Sequence, residues 1–200
     1  MLANGDIGNG KMPSEETLVE YVVRELAKPK DMAGMKVLVT AGPTQEAIDP
    51  VRYLTNHSTG KMGYALAKMA MLRGADVTLV TGPTALEPPM FVQVEPIVTA
   101  KEMYEKVTGA AKEQDVIIKA AAVADYRPAT VATEKVKKKE GAAKIELERT
   151  DDILAALGAQ KGNTILCGFS METEHMLENS RAKLKKKNLD LIVANNLKVE

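Results

Sequence analysis

The sequence contains a single cysteine among its 200 residues. One cysteine excludes an internal disulfide framework and the paired spacings of zinc fingers, and it fits a reducing compartment. That residue, Cys167, sits between Leu166 and Gly168 in an apolar run, so it reads as a buried structural thiol. The two histidines, His57 and His175, are far apart, and no helical pattern pairs His with Glu at ligand spacing, so no resident metal site is expected. A Ser/His/Asp pattern is also missing, which argues against covalent catalysis through a side chain. Net charge is absent too: 27 basic residues balance 27 acidic ones, so nothing global draws the chain to nucleic acid or to an anionic membrane. No apolar run approaches the roughly 20 residues that cross a bilayer, and the N-terminus lacks the basic and apolar regions of a signal peptide. The chain is expected to be cytoplasmic and soluble, with no nucleic-acid or membrane partner.

What is present is an apolar content of 45%, enough for a core in one domain with an appendage. Residues 1–11 are glycine-rich and expected to be loop. Pro13-Ser14 opens a helix with Leu18, Val22 and Leu26 on one face, and residues 28–34 form a linker. Short apolar runs at 35–41, 75–81, 91–98, 115–122, 164–169 and 189–194 read as strands. The third is interrupted by Pro96 and so belongs near a sheet edge. Helical patterns follow at 65–72, 100–112, 153–157 (capped by Thr150 or Asp151) and 174–187. A turn is expected at Asn195-Asn196. This alternation predicts a Rossmann-like three-layer α/β fold: a mainly parallel sheet, helices on both faces, right-handed crossovers, and ligands beyond the C-terminal strand ends.

Between the first strand and its helix lies Asn56-His-Ser-Thr-Gly-Lys-Met-Gly63. Ser58, Gly60 and Lys61 stand where loop turns into helix, a position that offers N–H groups, a dipole and a cation to an anion. Taken alone, the stretch fits a capped helix equally well, with Ser58 or Thr59 as the cap. A dinucleotide fingerprint is a poor match, since the glycines follow a long loop and Thr81-Gly82-Pro83 replaces the acidic residue at the second strand end. The polar insertion at 131–141, with Lys135, Lys137, Lys138 and Lys139, reads either as a solvated loop or as a functional flap. Without interleaved aromatics it is a poor nucleic-acid patch. Lysines on a flap over a phosphate-binding strand edge suit a polyphosphate substrate better.

The motifs Val39–Thr44, Asp49–Tyr53, Asn56–Gly63, Ala121–Tyr126, Glu134–Lys138, Gly168-Phe169 and Lys187–Ile192 fall in the order seen in one family. Through them the chain resembles phosphopantothenate–cysteine ligase (phosphopantothenoylcysteine synthetase) of coenzyme A biosynthesis, over 35–200. Gly8–Ser14 resembles the tail of the flavin-dependent decarboxylase domain fused ahead of this ligase in the bacterial bifunctional protein, with Lys11 where that family usually has arginine. The resemblance makes 1–34 the tail of that preceding domain, with helix and linker. It makes 35–200 a ligase domain that is C-terminally incomplete, a further strand and helix being expected, so that a sheet edge or core face is left uncovered.

It also implies a chemistry. The carboxylate of 4′-phosphopantothenate attacks CTP, pyrophosphate leaves, and L-cysteine then displaces CMP from the acyl cytidylate. By resemblance, Asn56 contacts the acyl intermediate and Lys135 acts from the flap. Ser58, Gly60, Lys61, Lys119, Ala120, Ala121, Ala122, Asp125, Asp151, Asp152, Ile153, Leu154, Phe169, Lys183 and Lys187 bind the nucleotide. Asp151 departs from the family, which often has proline there. Mg²⁺ accompanies the triphosphate, held mainly by the phosphates. A flavin belongs only to the decarboxylase domain, and the family is a homodimer. A non-catalytic relative serving as a regulatory subunit is the rival reading, and retention of Asn56, Asp125 and Lys135 together argues against it.

Overall fold

The computed structural model describes residues 12–138, 140–141, 143–172 and 174–196. The expected loop at 1–11, including Lys11, and Lys139 of the basic run lie outside these residues. The middle of the sheet is β1 (Lys36–Ala41), buried along all but its first residue. It pairs in parallel with β4 (Asp76–Thr81) on one side and β6 (Val116–Lys119) on the other, with Val39 opposite Leu79 and Ile118. Outward lie β5 (Gln93–Pro96) beyond β4, and β9 (Ile165–Glu172) then β10 (Leu191–Asn196) beyond β6, every pair parallel. Renumbered within the sheet, this is the strand order 3-2-1-4-5-6 of the dinucleotide-binding folds. Pro96 lies in an edge strand, where its missing N–H costs no ladder bond.

The period of two sorts the strand residues into two cores. Val37, Val39, Ala41, Val77 and Leu79 face α2 (Lys61–Leu72), which contributes Tyr64, Ala67, Ala70 and Met71. Leu38, Val80, Ile117 and Leu166 face the opposite layer of α3 (Ala100–Ala110), α4 (Ile153–Gln160) and α5 (Met176–Lys186). Helix α2 packs so closely on β1 that a Cβ on Gly63 would lie 2.5 Å from Ala41 Cβ. Helix α3 starts with a full capping box between Thr99 and Glu102, and buried Glu46 accepts from Ala100 N at 2.8 Å.

Several expectations are corrected. The 44–55 loop contains a hairpin, β2 (Gln45–Ala47) with β3 (Tyr53–Thr55). A second small sheet pairs β7 (Tyr126–Pro128) with β8 (Leu147–Arg149), bracketing the flap. The cap of α4 is Asp152, whose Oδ1 accepts from Ala155 N, because the Thr150 hydroxyl is taken by Ala124 O. No turn occurs at Asn195-Asn196: β9 runs on to Glu172 and gives both residues a partner. Helix α1 (Glu15–Leu26) buries none of its residues, and Leu18, Val22 and Leu26 face solvent. It is held instead by Tyr21 edge-on to Phe91, by Arg24 over the same ring, and by the Glu20–Lys68 ion pair. On the far strands, Ile165, Met171, Leu191 and Val193 are exposed.

Candidate functional site

In this strand order the crevice between β1 and β6, at their C-terminal ends, is where a ligand is expected. Here the chain beyond both strands is stitched together. Ala122 N donates to Gly42 O at 2.9 Å, and Thr44 N donates to Ala122 O at 3.2 Å. The hydroxyls of Thr40 and Thr44 accept from Ala121 N and Ala124 N at 3.1 and 3.0 Å. Residues 123–125 are then fixed from outside the sheet. Asn56 Nδ2 donates to Val123 O at 3.1 Å; the Thr150 hydroxyl donates to Ala124 O at 2.6 Å, and Thr150 N to Asp125 O at 3.0 Å. Asn56 and Asp125 therefore stand at one strand end, both exposed, and no described residue donates to Asn56 Oδ1.

A second group gathers on the α4/α5 side. Lys119 ends β6 pointing to that layer, while Lys183 and Lys187 come from the last two turns of α5 and its cap. Lys183 Nζ donates to Phe169 O at 2.9 Å, and Lys187 pairs with Asp152. Desolvation, reinforced by the nearby Lys183 charge, pushes the Lys119 ammonium down to about 8, with Asp152 and Asp125 opposing the shift. Desolvation works against the Asp152 carboxylate as well, but the Lys187 hydrogen bond and Ala155 N hold it below its ordinary range. Cations outnumber carboxylates at this strand end, and a polyanion would relieve both the repulsion and the desolvation.

The loop–helix stretch resolves differently from either simple reading. The cap of α2 is Gly60 itself, in the left-handed region at φ 78°, with no side-chain cap. Ser58 Oγ accepts from Gly60 N at 3.3 Å and Thr59 Oγ1 from Lys61 N at 3.4 Å, both long bonds within the loop. A Cβ on Gly60 would lie 2.8 Å from Thr84 Cγ2, so the loop lies tight against the segment that follows β4. Lys61 is exposed and lines a groove of about 410 Å³ with Tyr64, Leu86 and Pro88. It belongs to the α2 layer, and the structure does not bring it against Lys119 or Lys183. Open clefts of about 310 and 350 Å³ at the other end of the sheet, around Lys36, Gln114 and Lys161, contain none of the residues named from the sequence.

The flap is not free at its root. Ala132 N donates to Ile48 O at 3.0 Å, Val136 N to Asp49 Oδ2 at 3.1 Å, and Arg52 Nη2 to Val136 O at 2.9 Å. Lys135 stands beside this attachment, exposed. The Asp49 carboxylate is fully enclosed, and the Arg52 guanidinium bonded to it keeps it far below the usual carboxylate range. Sequence reasoning assigned no site role to Asp49, Arg52, Thr44 or Thr150. Asp49 and Arg52 are marked by the Asp49-Pro50 turn signal and the Asp49–Tyr53 motif, Thr44 by the Val39–Thr44 motif, and Thr150 only as a candidate helix cap.

Of the remaining named residues, Ala120, Ala121 and Ala122 are half-buried in the stitched strand end, where backbone groups are what they can offer a ligand. Ile153 and Leu154 bury their side chains in the core, so they too can contribute only backbone. Asp151 is exposed beside them, and Phe169 is half-buried in β9. Among the described residues, no group of three or more His, Cys, Asp or Glu side chains is placed to hold a metal ion. Burial pushes the Cys167 thiol up, as befits an inert core residue.

The strand order defines a Rossmann-like α/β protein, a fold in which ligands are expected at the switch point, here between β1 and β6. The chain belongs to the family described as DNA/pantothenate metabolism flavoprotein C-terminal domain, whose model matches residues 32–200. It is 46% identical over 200 residues to the coenzyme A biosynthesis bifunctional protein CoaBC of Bacillus subtilis, covering 98% of this chain and 49% of that protein. To the Escherichia coli (strain K12) protein of the same name it is 44% identical over 199 residues, again 98% of this chain and 49% of the other. The chain thus spans about half the length of these relatives. Among solved structures, the crystal structure of the C-terminal domain of a CoaBC protein is 48% identical with a TM-score of 0.74, covering 82% of this chain and 79% of that one. The DNA/pantothenate metabolism flavoprotein from Streptococcus pneumoniae is 28% identical with a TM-score of 0.74, covering 82% and 83%. No helix among the described residues is long and apolar enough to cross a membrane.

Proposed function

We propose that this chain is the ligase part of a bifunctional coenzyme A biosynthesis protein, joining 4′-phosphopantothenate to L-cysteine at the expense of CTP. The observation that carries the reading is the lysine group Lys119, Lys183 and Lys187 at the end of the same strand whose continuation is held by Asn56. It occurs in a chain 46% identical to a CoaBC protein over 98% of its length. In this reading the triphosphate lies across the strand ends, and Lys119, Lys183, Lys187 and the flap Lys135 neutralise it. The pantothenate carboxylate attacks the α-phosphorus, pyrophosphate departs, and the acyl cytidylate forms. Cations fixed before the reaction favour the charge that builds on the leaving pyrophosphate, which is where catalysis is needed when no side chain acts as nucleophile.

The α-amine of cysteine, having lost its proton to solvent, then attacks the acyl carbon and CMP leaves as the amide forms. Asn56 holds Val123 with its Nδ2 and keeps Oδ1 open, so one side chain braces the strand end and still offers an acceptor to the intermediate. Ser58, Gly60 and Lys61 offer loop N–H groups and a charge from the α2 side. Mg²⁺ supplies further neutralisation when bound with the nucleotide. As it keeps most of its waters and uses few carboxylates, the exposed Asp125 fits that demand. Residues 1–34 are read as the tail of a preceding flavin-dependent decarboxylase domain, and the working form as a homodimer.

The test is pyrophosphate release from CTP and from ATP with phosphopantothenate, with and without cysteine. Release that requires phosphopantothenate, and amide that appears only with cysteine, is the expected pattern. Nucleotide binding without pyrophosphate release would leave only the regulatory relative.

A further inference from the structure

The flap attachment has more in it than a hinge. The turn at 48–52 is closed by Ile48 N and Asp49 N donating to Arg52 O, and Asp49 spends both carboxylate oxygens there. Its Oδ1 accepts from Val51 N and Arg52 N, each at 2.9 Å. Its Oδ2 accepts from Arg52 Nε at 3.0 Å, from Arg52 Nη2, and from Val136 N at 3.1 Å. The same guanidinium reaches past the carboxylate to Val136 O. One enclosed carboxylate therefore joins two segments 87 residues apart in the chain, at Asp49 and Val136. On one side the turn runs directly into β3 and Asn56; on the other, Val136 is the neighbour of Lys135.

We propose that Asp49, acting through Arg52, is a positioning residue that holds the Lys135 flap and the Asn56 loop in a single frame, so that the two groups meet one substrate. The inference rests on the ligase reading above for what Lys135 does, but the latch itself is independent of that reading. A flap fastened at Val136 holds the backbone next to Lys135 before any ligand arrives. A nucleotide then meets a cation already placed, with little ordering cost left at that residue. The other charged groups facing the latch are few: Arg52 is the only cation bonded to Asp49 among the described residues, and Val136 contributes backbone alone.

Two variants separate positioning from simple stability. Asp49→Asn keeps an acceptor for Val51 N and Arg52 N but sets an NH₂ against the Arg52 and Val136 donors, so it opens the flap arm specifically. Arg52→Lys, at a half-exposed side chain, keeps the charge but cannot span Asp49 and Val136 O together. Hydrogen exchange in the ligand-free protein reads the latch directly. The Val136 amide should exchange about tenfold faster in Asp49→Asn, the loss of one charge-assisted hydrogen bond. Unchanged exchange there overturns the latch.

A double-variant cycle with Lys135→Gln reads its catalytic reach. Asp49→Asn should slow pyrophosphate release about tenfold in the parent and less than about threefold in the Lys135→Gln background, because both act through one cation. The KM for cysteine should stay level, since the second half-reaction does not use the flap cation, and Arg52→Lys should show a smaller loss in the same direction. Equal losses in both backgrounds would make Asp49 merely structural and overturn the positioning role. If Lys135→Gln alone were silent, the role given to Lys135 would fall and the positioning role with it, while exchange at Val136 would still report on the latch.

Discussion

Replacing Lys119 by methionine should make the protein more stable and less able to bind its nucleotide. The ammonium stands at the end of β6 on the α4/α5 side, and desolvation together with Lys183 pushes it from 10.5 down to about 8. A shift of that size corresponds to about 3 kcal/mol of strain in the protonated native state, and discounting for its partial exposure leaves about 2–3 kcal/mol. Between pH 8 and 10.5 the unfolded chain holds more protons than the native one, so this contribution to stability rises with pH. The penalty is fully present below about pH 8 and gone above about 10.5. Lys119→Met should therefore exceed the parent by about 2–3 kcal/mol in urea denaturation at pH 7, and the advantage should shrink as pH rises towards 10. Taking the difference between the two proteins cancels the other lysines and the tyrosines. Binding supplies the second reading: a triphosphate restores the charged form, so CTP should bind with proton uptake near pH 8.5 in the parent and not in the variant. A stability gap that does not change with pH would refute the perturbed ammonium. A variant that binds CTP as tightly as the parent would remove Lys119 from the site.

Further outcomes follow from other residues. Lys135→Gln should cost about 2–4 kcal/mol in the cytidylylation step, the range for deleting one transition-state charge stabiliser. Asn56→Asp should let acyl cytidylate form and fail to pass it to cysteine, as rapid-quench analysis with labelled CTP would show; equal loss of CTP binding in both variants by calorimetry would contradict these roles. Gly158→Ala would place a Cβ 2.0 Å from Lys187 O, so it should cost about 1–3 kcal/mol in stability and weaken CTP binding by moving Lys187, measured by denaturation and calorimetry together. Gly63→Ala forces α2 off β1 and should cost a similar amount without reaching the lysine group. Cys167, 8% exposed with its thiol pushed up by burial, should resist thiol reagents until the chain unfolds.

The sequence by itself determined the sheet. Runs such as Val37–Ala41 and Val77–Thr81 are apolar on both faces, which only a strand covered on two sides requires, and their alternation with 3.6-period helices left one architecture. It also pointed to the C-terminal strand ends as the place for ligands, with Asp125 just beyond the fourth run. What it could not decide were contacts between segments distant in the chain, since these depend on three-dimensional register and leave no periodicity behind. The hairpin of β2 and β3 is too short and too polar to signal itself. The cap of α4 fell to Asp152 because Thr150 had a carbonyl to bind 26 residues away. The expected apolar face of α1 stays in water because Phe91 and Lys68 hold the helix from another side. Asp49, a plain turn residue in the sequence, became a buried carboxylate only when Val136 arrived to share it. Local pattern fixes where the chain turns and which face is apolar; which polar group meets which is settled by packing, where an unpartnered buried donor or acceptor costs too much to leave.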